Sequence, residues 1–477
     1  MTTTRRQFLR SAGVAGLALP GVLRASLRGS NEDVRIGVAG FNGRGRGIIR
    51  DFHGMSGVRV TALCDVDSRL VARERAAFDK RDERVATFTD VREMLDSKEV
   101  DAVAVTTPNH WHSLMGIWAC QAGKHAYVEK PVSHNVWEGR RLVQAQEHYN
   151  KIVVTGTQSR SSEGIREAVK RVRAGRYGAV QWAWGLCYKP RPSIGKTTAA
   201  QPIPKEIDWD LWCGPAPKEP LRRKKLHYDW HWQWPAGSGD IGNQGVHEMD
   251  LARWFLGEAG LPKSIQSVGG RLGYDDDGTT PNTLITRYGY DAAPMYFEVR
   301  GLPKRKGGGR AMDTVSGRSI GVIVHCEKAR LVVSANDVRV FDHDGKQVEH
   351  LAGGNHMRNH YAAFIEAIRS GDQGRLTAPI LEGHVSSALC HLGNIAYKVG
   401  GEQRFDKWAA ASRDDATWDM ISRGQGRHLD AHGLPQASTS VRVGSISCDP
   451  ATETLSDGPS GSLRRAYRAP FVVPEAF

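Results

Sequence analysis

A glycine-rich turn near the start of the chain places the strongest constraint on how this sequence can fold. Five glycines occur between Gly37 and Gly47, directly after a β-rich run at residues 34–39. Such a turn between a strand and a helix lets the backbone approach a phosphate group at the helix N-terminus. The following chain alternates β-rich runs with helical stretches, at residues 58–63, 68–78, 100–106, 111–122, 126–128, 136–149 and 152–155. This alternation predicts a parallel sheet that is covered by helices on both faces.

The turn fits a dinucleotide-binding pattern with one departure. In the G-x-G-x-x-G frame, Gly40 and Gly45 hold the first and third positions, and Asn42 replaces the middle glycine. Asparagine tolerates left-handed backbone angles better than most residues, so the turn remains compatible with the pattern. Asp65 follows the second predicted strand, where a carboxylate binds ribose hydroxyls and repels a 2′-phosphate. The pattern predicts NAD as the cofactor. Arg69 leaves NADP as the less favoured alternative, and a nucleotide-free sheet is the other reading.

The pattern changes near residue 156. Longer β-rich segments follow at residues 180–186, 264–271, 283–288, 295–299, 320–326, 329–334 and 338–342, with helical segments at 359–370 and 382–399. The sequence therefore predicts an α/β Rossmann dinucleotide-binding domain at 33–155 and an α+β domain with a large, mostly antiparallel sheet at 156–400. Residues 401–477 are expected to form a C-terminal extension packed on this core.

The N-terminal 28 residues are set apart from the fold. The pair Arg5-Arg6 and Phe8 precede a weakly apolar stretch that Pro20 interrupts, which is the pattern of a twin-arginine export signal. A flexible basic tail ending in a short helix is the alternative. Residues 1–28 contain five arginines and no acid, so they supply five of the 13 net positive charges. Because this route exports folded proteins, the pattern predicts a periplasmic or otherwise exported protein that binds its cofactor before export.

Composition excludes several classes of protein. Apolar residues make up 40% and charged residues 25% of the chain, which is typical of globular proteins. No apolar run reaches the roughly 18 residues that a spanning helix needs. The basic clusters at 222–225 and 304–306 are not part of a recognisable nucleic-acid motif, so we expect no nucleic-acid partner. The seven cysteines form neither a CxxC pair nor a disulfide framework.

Two motifs in the first domain make a family resemblance recognisable. Residues 106–112 read Thr-Thr-Pro-Asn-His-Trp-His, and Glu129-Lys130-Pro131 directly follows a predicted strand. Together with the glycine turn, these motifs resemble the Gfo/Idh/MocA family of oxidoreductases. Further similarity runs through residues 155–160, 239–254 and 382–396, and the closing segments 449–453 and 467–474 resemble the end of exported members. The resemblance covers nearly the whole chain.

The resemblance implies roles for five residues of the first domain. Lys130 would lie at the nicotinamide end of the site, where it binds substrate and nicotinamide ribose. An ammonium there stabilises a developing alkoxide and relays protons. Glu129 would contact the cofactor or orient Lys130, and Thr107, Asn109 and His110 would line the nicotinamide ribose. An exposed surface lysine is the alternative for Lys130.

Gln158 and Arg160 are further candidates for the same cleft. Both residues lie in the segment 155–160, which is part of the family resemblance. Surface or packing roles are as compatible with the sequence as a position in the cleft.

The resemblance also identifies a histidine in the second domain. Dehydrogenases of this family carry Asp-x-Gly-x-His at a helix entrance, and here His247 matches the histidine while Asn243 stands in place of the aspartate. An amide cannot take a proton as a carboxylate does, so the Asp–His dyad is absent. His247 can still act as general base for a sugar hydroxyl. Asp240 could compensate electrostatically.

Two further residue groups allow more than one interpretation. Eight of the 13 tryptophans lie between Trp182 and Trp254, and they favour a carbohydrate pocket and core packing equally. Several acidic and histidine side chains could be assembled into a metal site, but their spacing matches no standard ligand set: His110, His112, His247, Glu248 and Asp250. We therefore expect no metal.

The leading functional hypothesis is an exported NAD(P)-dependent oxidoreductase that acts on a sugar, a cyclitol or a sugar derivative by hydride transfer. The first alternative is a glycoside hydrolase or lyase that retains its NAD and oxidises the sugar transiently. The second is a non-catalytic protein that binds sugar or NAD. The resemblance further implies a homo-oligomer formed through the sheet of the second domain.

Overall fold

The computed structural model describes residues 33–413, 415–457 and 459–477. The export signal predicted at residues 1–28 lies outside the described residues.

The first domain is the predicted Rossmann-type α/β unit. Its six parallel strands lie in the order β3-β2-β1-β4-β5-β6. The strands are β1 (Val34–Ala39), β2 (Val58–Cys64), β3 (Ala86–Phe88), β4 (Ala102–Val105), β5 (His125–Val128) and β6 (Val153–Thr155). The helices are α1 (Arg44–His53), α2 (Ser68–Asp79), α3 (Val91–Asp96), α4 (His112–Gln121) and α5 (Val136–His148). All five predicted strands are present, and the short edge strand β3 was not predicted.

Burial explains why the central strands were easy to recognise and β3 was not. All four residues of β4 are buried, because helices cover both faces of a parallel sheet. Strand β3 has only three residues, none of them buried, so it lacks the apolar signal. The strand order reverses between β1 and β4, and ligands of such sheets bind outside the carboxyl ends of the strands at this point.

The second domain contains an 11-stranded sheet. Strands β7 and β10 pair in parallel, and the other neighbouring strands pair antiparallel. The strands predicted from the sequence are β7 (Val180–Tyr188), β8 (Ser264–Gly270), β9 (Thr283–Gly289), β10 (Met295–Arg300), β11 (Ile320–Cys326), β12 (Arg330–Val333) and β13 (Asp337–Phe341). Four strands were not predicted, namely β14 (Gln347–Ala352), β15 (Gly401–Arg404), β16 (Ser440–Asp449) and β17 (Thr454–Leu455).

Helices cover both faces of this large sheet. The helices of this part of the chain are α6 (Glu163–Arg173), α7 (Trp209–Cys213), α8 (Gly239–Asn243), α9 (Gly245–Leu256), α10 (His356–Ser370), α11 (Ile380–Val399), α12 (Phe405–Ala411) and α13 (Ala416–Asp430). Helices α6, α9 and α11 contribute to the main core on one face. On the opposite face, α12 and α13 pack Phe405, Trp408 and Trp418 against Trp184 and Tyr296 of the sheet.

The predicted boundary at residue 400 falls inside the second domain. Strands β15 and β16 extend its sheet beyond β8, so residues 401–449 are part of this domain. Helices α12 and α13 lie between these two strands in the chain and cover one face of the sheet. The family resemblance predicts a homo-oligomer that forms through this sheet. An assembly through that sheet would therefore involve its edges or the outer surfaces of α12 and α13.

Later segments of the chain also complete the first domain. Phe471 and Val473 are buried in the same cluster as Trp111 and Leu114 of the first domain. Helix α10 adds buried aromatic residues, including Phe364, to the core beneath β1 and α1. Within the described residues, we found no helix with both the length and the apolar character needed to span a membrane.

The aromatic layer under α13 gives a test of this arrangement. Trp418 is 3% exposed, so Trp418→Ala is expected to lower the free energy of unfolding by about 3–5 kcal/mol through the cavity that it leaves. Met420 lies on the same helix and is 45% exposed, so Met420→Ala should change the free energy of unfolding by no more than about 0.5 kcal/mol. Urea denaturation of both variants measures the difference. Equal effects would contradict the packing of α13 on the sheet.

Candidate active site

A cavity of about 520 Å³ lies at the carboxyl ends of β1 and β4, between the first domain and the segment 211–247 of the second. Nine of the eleven site residues predicted from the sequence line it: Gly40, Asn42, Asp65, Thr107, Asn109, Glu129, Lys130, Asn243 and His247. Gly45 and His110 do not line it. The structure thus brings the cofactor motif and the proposed catalytic residues of both domains to one space.

The glycine turn is built as a close contact between loop, helix and strand. Gly40 adopts a φ of +79°, and an added Cβ would lie 2.8 Å from the Cα of Thr107. A Cβ on Gly45 would overlap the carbonyl oxygen of Gly40 and the Oγ1 of Thr106. Gly45 therefore shapes the turn from behind. Asn42 is not among the described residues with positive φ, so the left-handed position is Gly40 and not Asn42.

The front of the turn is open. Gly43 precedes the first residue of α1, no side chain caps it, and an added Cβ there would meet no atom within 4 Å. Gly43 and Arg44 both line the cavity. The unpaired N–H groups of a helix N-terminus attract anionic groups such as a pyrophosphate. The turn therefore offers a cradle for the phosphates of a dinucleotide.

Asp65 closes the other end of this cradle. It follows β2, and its carboxylate accepts hydrogen bonds from the backbone N–H groups of Phe41 (2.9 Å) and Asp67 (3.0 Å). These bonds tie the end of β2 to the glycine turn. Burial raises the pKa of Asp65 despite them. Arg69 donates to Asp67 instead, at 2.9 and 2.6 Å. A carboxylate at the cavity and an arginine held by another carboxylate fit NAD better than NADP.

Lys130 connects the two domains across the cavity. Its Nζ donates a hydrogen bond of 2.6 Å to the backbone carbonyl of Asn243. Burial lowers the pKa of Lys130, and the neighbouring charge of Glu129 opposes that shift. The ammonium keeps two further N–H donors beyond this bond.

Glu129 is fixed by a buried network. Its carboxylate accepts hydrogen bonds from Arg44 (3.0 Å), the hydroxyl of Tyr127 (3.2 Å) and Gln158 (3.3 Å). Burial alone would raise the pKa of Glu129, but the charges of Arg44 and Lys130 hold it below the ordinary value. Glu129 is therefore a carboxylate that positions charge beside Lys130. Gln158 lines the cavity as one of the two predicted candidates.

His247 faces the same cavity from the first turn of α9. Its ring is half-buried, and no described residue forms a hydrogen bond with either ring nitrogen. Burial and the charge of Lys130 lower the pKa of His247 to about 3. The imidazole is therefore neutral at physiological pH and has a lone pair that can accept a proton.

Asn243 does not orient His247 as an aspartate would. Its backbone carbonyl binds Lys130, and its side-chain amide donates to Asp240 at 3.3 Å. Asp240 itself is paired with the guanidinium of Arg191 through two bonds of 2.7 Å. It is buried and lies outside the cavity lining, so it does not replace the missing carboxylate. Asn243 instead acts as the anchor of Lys130.

The remaining predicted residues of the first domain divide into two groups. Thr107 and Asn109 line the cavity, and Asn109 accepts a hydrogen bond from Ser238 at 3.3 Å. His110 is 1% exposed and its Nε2 is bonded to the carbonyl of Trp212 at 3.0 Å, outside the lining. His110 therefore lies outside the cavity lining with its ring in contact with Trp212, and its place at the nicotinamide ribose stays a prediction. Arg160 is likewise buried, in ion pairs with Asp250 and Glu382.

Two residues of the hypothetical metal set, His112 and Asp250, are bonded to other protein groups. The two ring nitrogens of His112 lie 2.6 and 2.7 Å from the carbonyl oxygens of Pro131 and Thr107. Asp250 is paired with Arg160. In the described part of the chain, no group of three or more histidine, cysteine and acidic side chains could hold a metal ion.

The second domain supplies cavity residues that the sequence did not single out. Trp212, His227, Tyr228, Trp230 and His231 line the side that faces Lys130 and the glycine turn. The clustering of tryptophans signalled an aromatic pocket, but it did not separate Trp230, which lines the cavity, from Trp232, which is packed outside the lining. Only the path of the loop decides which of them faces the cavity.

The glycine turn, Asp65 and the cavity define a dinucleotide-binding oxidoreductase domain, and comparisons with known proteins agree. Residues 34–157 match the model of an oxidoreductase family with an NAD-binding Rossmann fold. Residues 178–279 match the C-terminal α/β domain of the same family. The chain belongs to the Gfo/Idh/MocA family of NAD-binding oxidoreductases.

Curated relatives resemble only part of the chain. A glycosyl hydrolase family 109 protein of Solibacter usitatus is 35% identical over 161 residues, which cover 30% of this chain and 36% of the relative. An alpha-N-acetylgalactosaminidase of Shewanella oneidensis is 34% identical over 125 residues, or 25% of this chain and 27% of the relative. The chain thus spans about a third of the length of the relatives that it matches.

Solved structures share the fold over most of the chain. The WlbA dehydrogenase from Bordetella pertussis, in complex with NADH and UDP-GlcNAcA, has a TM-score of 0.56 and 20% identity, covering 75% of this chain and 94% of its own. Levoglucosan dehydrogenase in complex with NADH has a TM-score of 0.57 and 17% identity, covering 75% and 95%. These similarities establish the two-domain fold.

The position of Asp65 predicts cofactor preference. Asp65→Ala removes the acceptor for the N–H groups of Phe41 and Asp67 together with the charge that repels a 2′-phosphate. The affinity for NAD is expected to fall roughly 10-fold or more, and the difference between the affinities for NAD and for NADP should become smaller. Asp65→Asn keeps a hydrogen-bond acceptor without the charge. It should also reduce the difference between the two affinities, with a smaller loss of affinity for NAD. Calorimetric titration with both cofactors measures this, and an unchanged preference in both variants would contradict the assignment.

Proposed function

We propose that this protein is an NAD-dependent oxidoreductase that acts on a carbinol group of a sugar, a cyclitol or a sugar derivative. The observation that carries the proposal is the meeting of Lys130 and His247 in the cavity that the glycine turn and Asp65 line. Lys130 and His247 suit the chemistry of a hydroxyl group, and the glycine turn and Asp65 suit the binding of a dinucleotide.

Each residue has a distinct task in the proposed reaction. NAD bound at the glycine turn supplies the hydride acceptor. The neutral imidazole of His247 accepts the proton of the substrate hydroxyl, since neither ring nitrogen is used by the described protein residues. The ammonium of Lys130 stabilises the negative charge that develops on the same oxygen. The carbonyl of Asn243 holds that ammonium in place through the 2.6 Å bond.

Aromatic side chains support a carbohydrate as substrate. Trp212, Tyr228 and Trp230 line the cavity beside the polar groups, and aromatic faces pack well on the C–H faces of sugar rings. The structural neighbours with bound UDP-GlcNAcA and with the name levoglucosan dehydrogenase support the same class.

A glycosidase that retains NAD is the second candidate function. It is supported by the names of the curated relatives and by Asn243, which replaces the dehydrogenase aspartate. In this scheme, the sugar is oxidised, loses its aglycone and is then reduced again, so no NADH accumulates.

Product analysis separates these candidates. Purified protein of known NAD content is incubated with free sugars and with p-nitrophenyl glycosides, starting with the α-N-acetylgalactosaminide. Net NADH formation on a free sugar would establish the oxidoreductase. Release of p-nitrophenol without net NADH would establish the glycosidase. Nicotinamide binding without either reaction would leave the non-catalytic alternative and overturn both proposals.

The export pattern leads to a proposal about the reaction cycle. Free NAD⁺ is scarce outside the cytoplasm, so an exported enzyme that released NADH would stall. We propose that the chain is exported with its dinucleotide bound and returns the hydride within one cycle, to a second substrate or to the same one. Protein purified from the exported fraction should contain nicotinamide and turn over without added NAD⁺. A cytoplasmic location, or a need for continuous fresh NAD⁺, would contradict this proposal.

The roles of His247 and Lys130 predict a pH profile. Because the pKa of His247 is lowered to about 3, its base form persists on acidification, and the acid limb of kcat/KM should lie below pH 5. Burial lowers the pKa of Lys130 from 10.5, so the ammonium is lost, and activity should fall, at a pH below that value.

Variants of the two residues provide the check on this profile. His247→Phe and Lys130→Met should each reduce kcat by roughly 100-fold or more. His247→Phe should retain NAD binding, because its side chain does not belong to the phosphate cradle. A wild-type acid limb near pH 6.5 would contradict the neutral state of His247.

A further inference from the structure

A second histidine, His231, lines the cavity together with His247. His231 lies in the short 3₁₀ turn Asp229–Trp232, whose aromatic neighbours Trp230 and Trp232 are buried. Its own ring is half-buried and lines the same cavity as Lys130 and His247. The ring stacks on the indole of Trp230, with centroids 3.6 Å apart and planes inclined by 20°. The side chain is therefore held in one orientation.

One hydrogen bond fixes the protonation of this ring. The Nδ1 of His231 lies 2.6 Å from the backbone carbonyl of Tyr228, which also accepts the backbone N–H of His231. A carbonyl oxygen can only accept, so Nδ1 carries the hydrogen and the lone pair of the neutral ring is on Nε2. In the described part of the chain, no protein group is hydrogen-bonded to Nε2. The cavity thus contains a second prearranged base.

The electrostatic surroundings keep this base unprotonated. Burial lowers the pKa of His231 to about 3, and the nearby charges of Lys130 and Arg191 act in the same direction. Arg191 donates to the hydroxyl of Tyr228 at 3.0 Å and to Asp240, so it is fixed beside the turn. A histidine that is neutral at physiological pH has a lone pair that can accept a proton, and it does not suit anion binding.

Oxidation of a carbinol needs only one base, because only the hydroxyl proton leaves with the hydride. His247 is sufficient for that step. A second base is needed when the carbon beside the new carbonyl also loses its proton. We infer that Nε2 of His231 accepts this second proton, which makes His231 a further catalytic residue. The inference rests on the proposed hydride transfer and deepens it toward substrates that undergo α-deprotonation.

The proposed step uses side chains that line the cavity. Bound NAD would supply the hydride acceptor for the first step, in which His247 takes the hydroxyl proton. The C–H proton of the adjacent carbon then moves to Nε2, and its electron pair forms a carbon–carbon double bond while the carbonyl oxygen becomes an enolate oxygen. Lys130 stabilises that oxygen. Where the next carbon carries a glycosidic oxygen, the carbonyl reforms, the carbon–carbon double bond shifts to that next carbon, and its bond to the glycosidic oxygen breaks. The released oxygen keeps the electron pair of that bond and takes a proton from water.

Solvent isotope exchange tests the inference. The holoenzyme is incubated in D₂O with p-nitrophenyl α-N-acetylgalactosaminide and with the other glycosides of the panel. Bound nicotinamide is followed by its absorbance in single turnovers, and deuterium in the recovered sugar is located by NMR spectroscopy. The wild type should reduce its nicotinamide and incorporate deuterium at the carbon beside the oxidised one.

Two variants isolate the proton acceptor. His231→Phe keeps the stack on Trp230, and His231→Gln keeps polarity, but neither side chain is basic. Both should lose deuterium incorporation by roughly 100-fold while nicotinamide reduction stays within about 3-fold. The exposed His343 provides the control, and His343→Phe should retain both reactions. If the two His231 variants still incorporate deuterium, or if they lose deuterium incorporation and nicotinamide reduction equally, the proposed role of His231 is overturned.

A readout without turnover completes the test. In protein labelled with ¹⁵N-histidine, the signals absent from His231→Phe identify His231, and they should have the shifts of the Nδ1–H tautomer at pH 7. The opposite tautomer would overturn the inference. If the wild type reduces its nicotinamide but incorporates no deuterium, His231 has no such role although the proposed function stands. If no substrate reduces the nicotinamide, the proposed function fails and the inference fails with it.

Discussion

The close packing of the glycine turn against its neighbours is the constraint on which the site depends. At Gly45 there is no room for a Cβ, because the Gly40 carbonyl and Thr106 lie against that position. This contact fixes how α1 leaves β1 and leaves the front of the turn, at Gly43, free of protein atoms. Asp65 is bonded into the same turn through Phe41. The cofactor cradle is therefore a consequence of backbone packing, and the catalytic residues are arranged around its open side.

Charge is distributed in the cavity so that the bases stay neutral and the cation stays fixed. Lys130 is held by a carbonyl of the other domain and lies near Glu129. Its positive charge and the burial of the rings together lower the pKa values of His231 and His247. One ammonium thus has two effects, since it stabilises developing negative charge on a substrate and suppresses protonation of the residues that remove protons.

The second domain uses its own chain to cover its sheet. Helices α12 and α13 bury Trp408 and Trp418 against the face opposite to the main core. The closing segment then packs Phe471 and Val473 on the first domain. Arg468 adds bonds to Asp210 near the cavity loop. The last part of the chain therefore joins the two domains and supports the loop that carries Trp212.

The sequence by itself determined the class of fold, the cofactor motif and nine of the residues that line the cavity. Glycine spacing, apolar strand runs and the Glu-Lys-Pro motif each involve residues that are close together in the sequence, so they can be recognised without the structure. Tertiary structure alone decided that Asn243 anchors Lys130, that His110 turns away, and that His231 faces the cavity. Each depends on which atoms meet across the domain boundary, over separations of about 100 residues for Lys130 with Asn243 and for His110 with Trp212. Sequence periodicity carries no information on such contacts, because they are set by how the two domains and the loop between them pack.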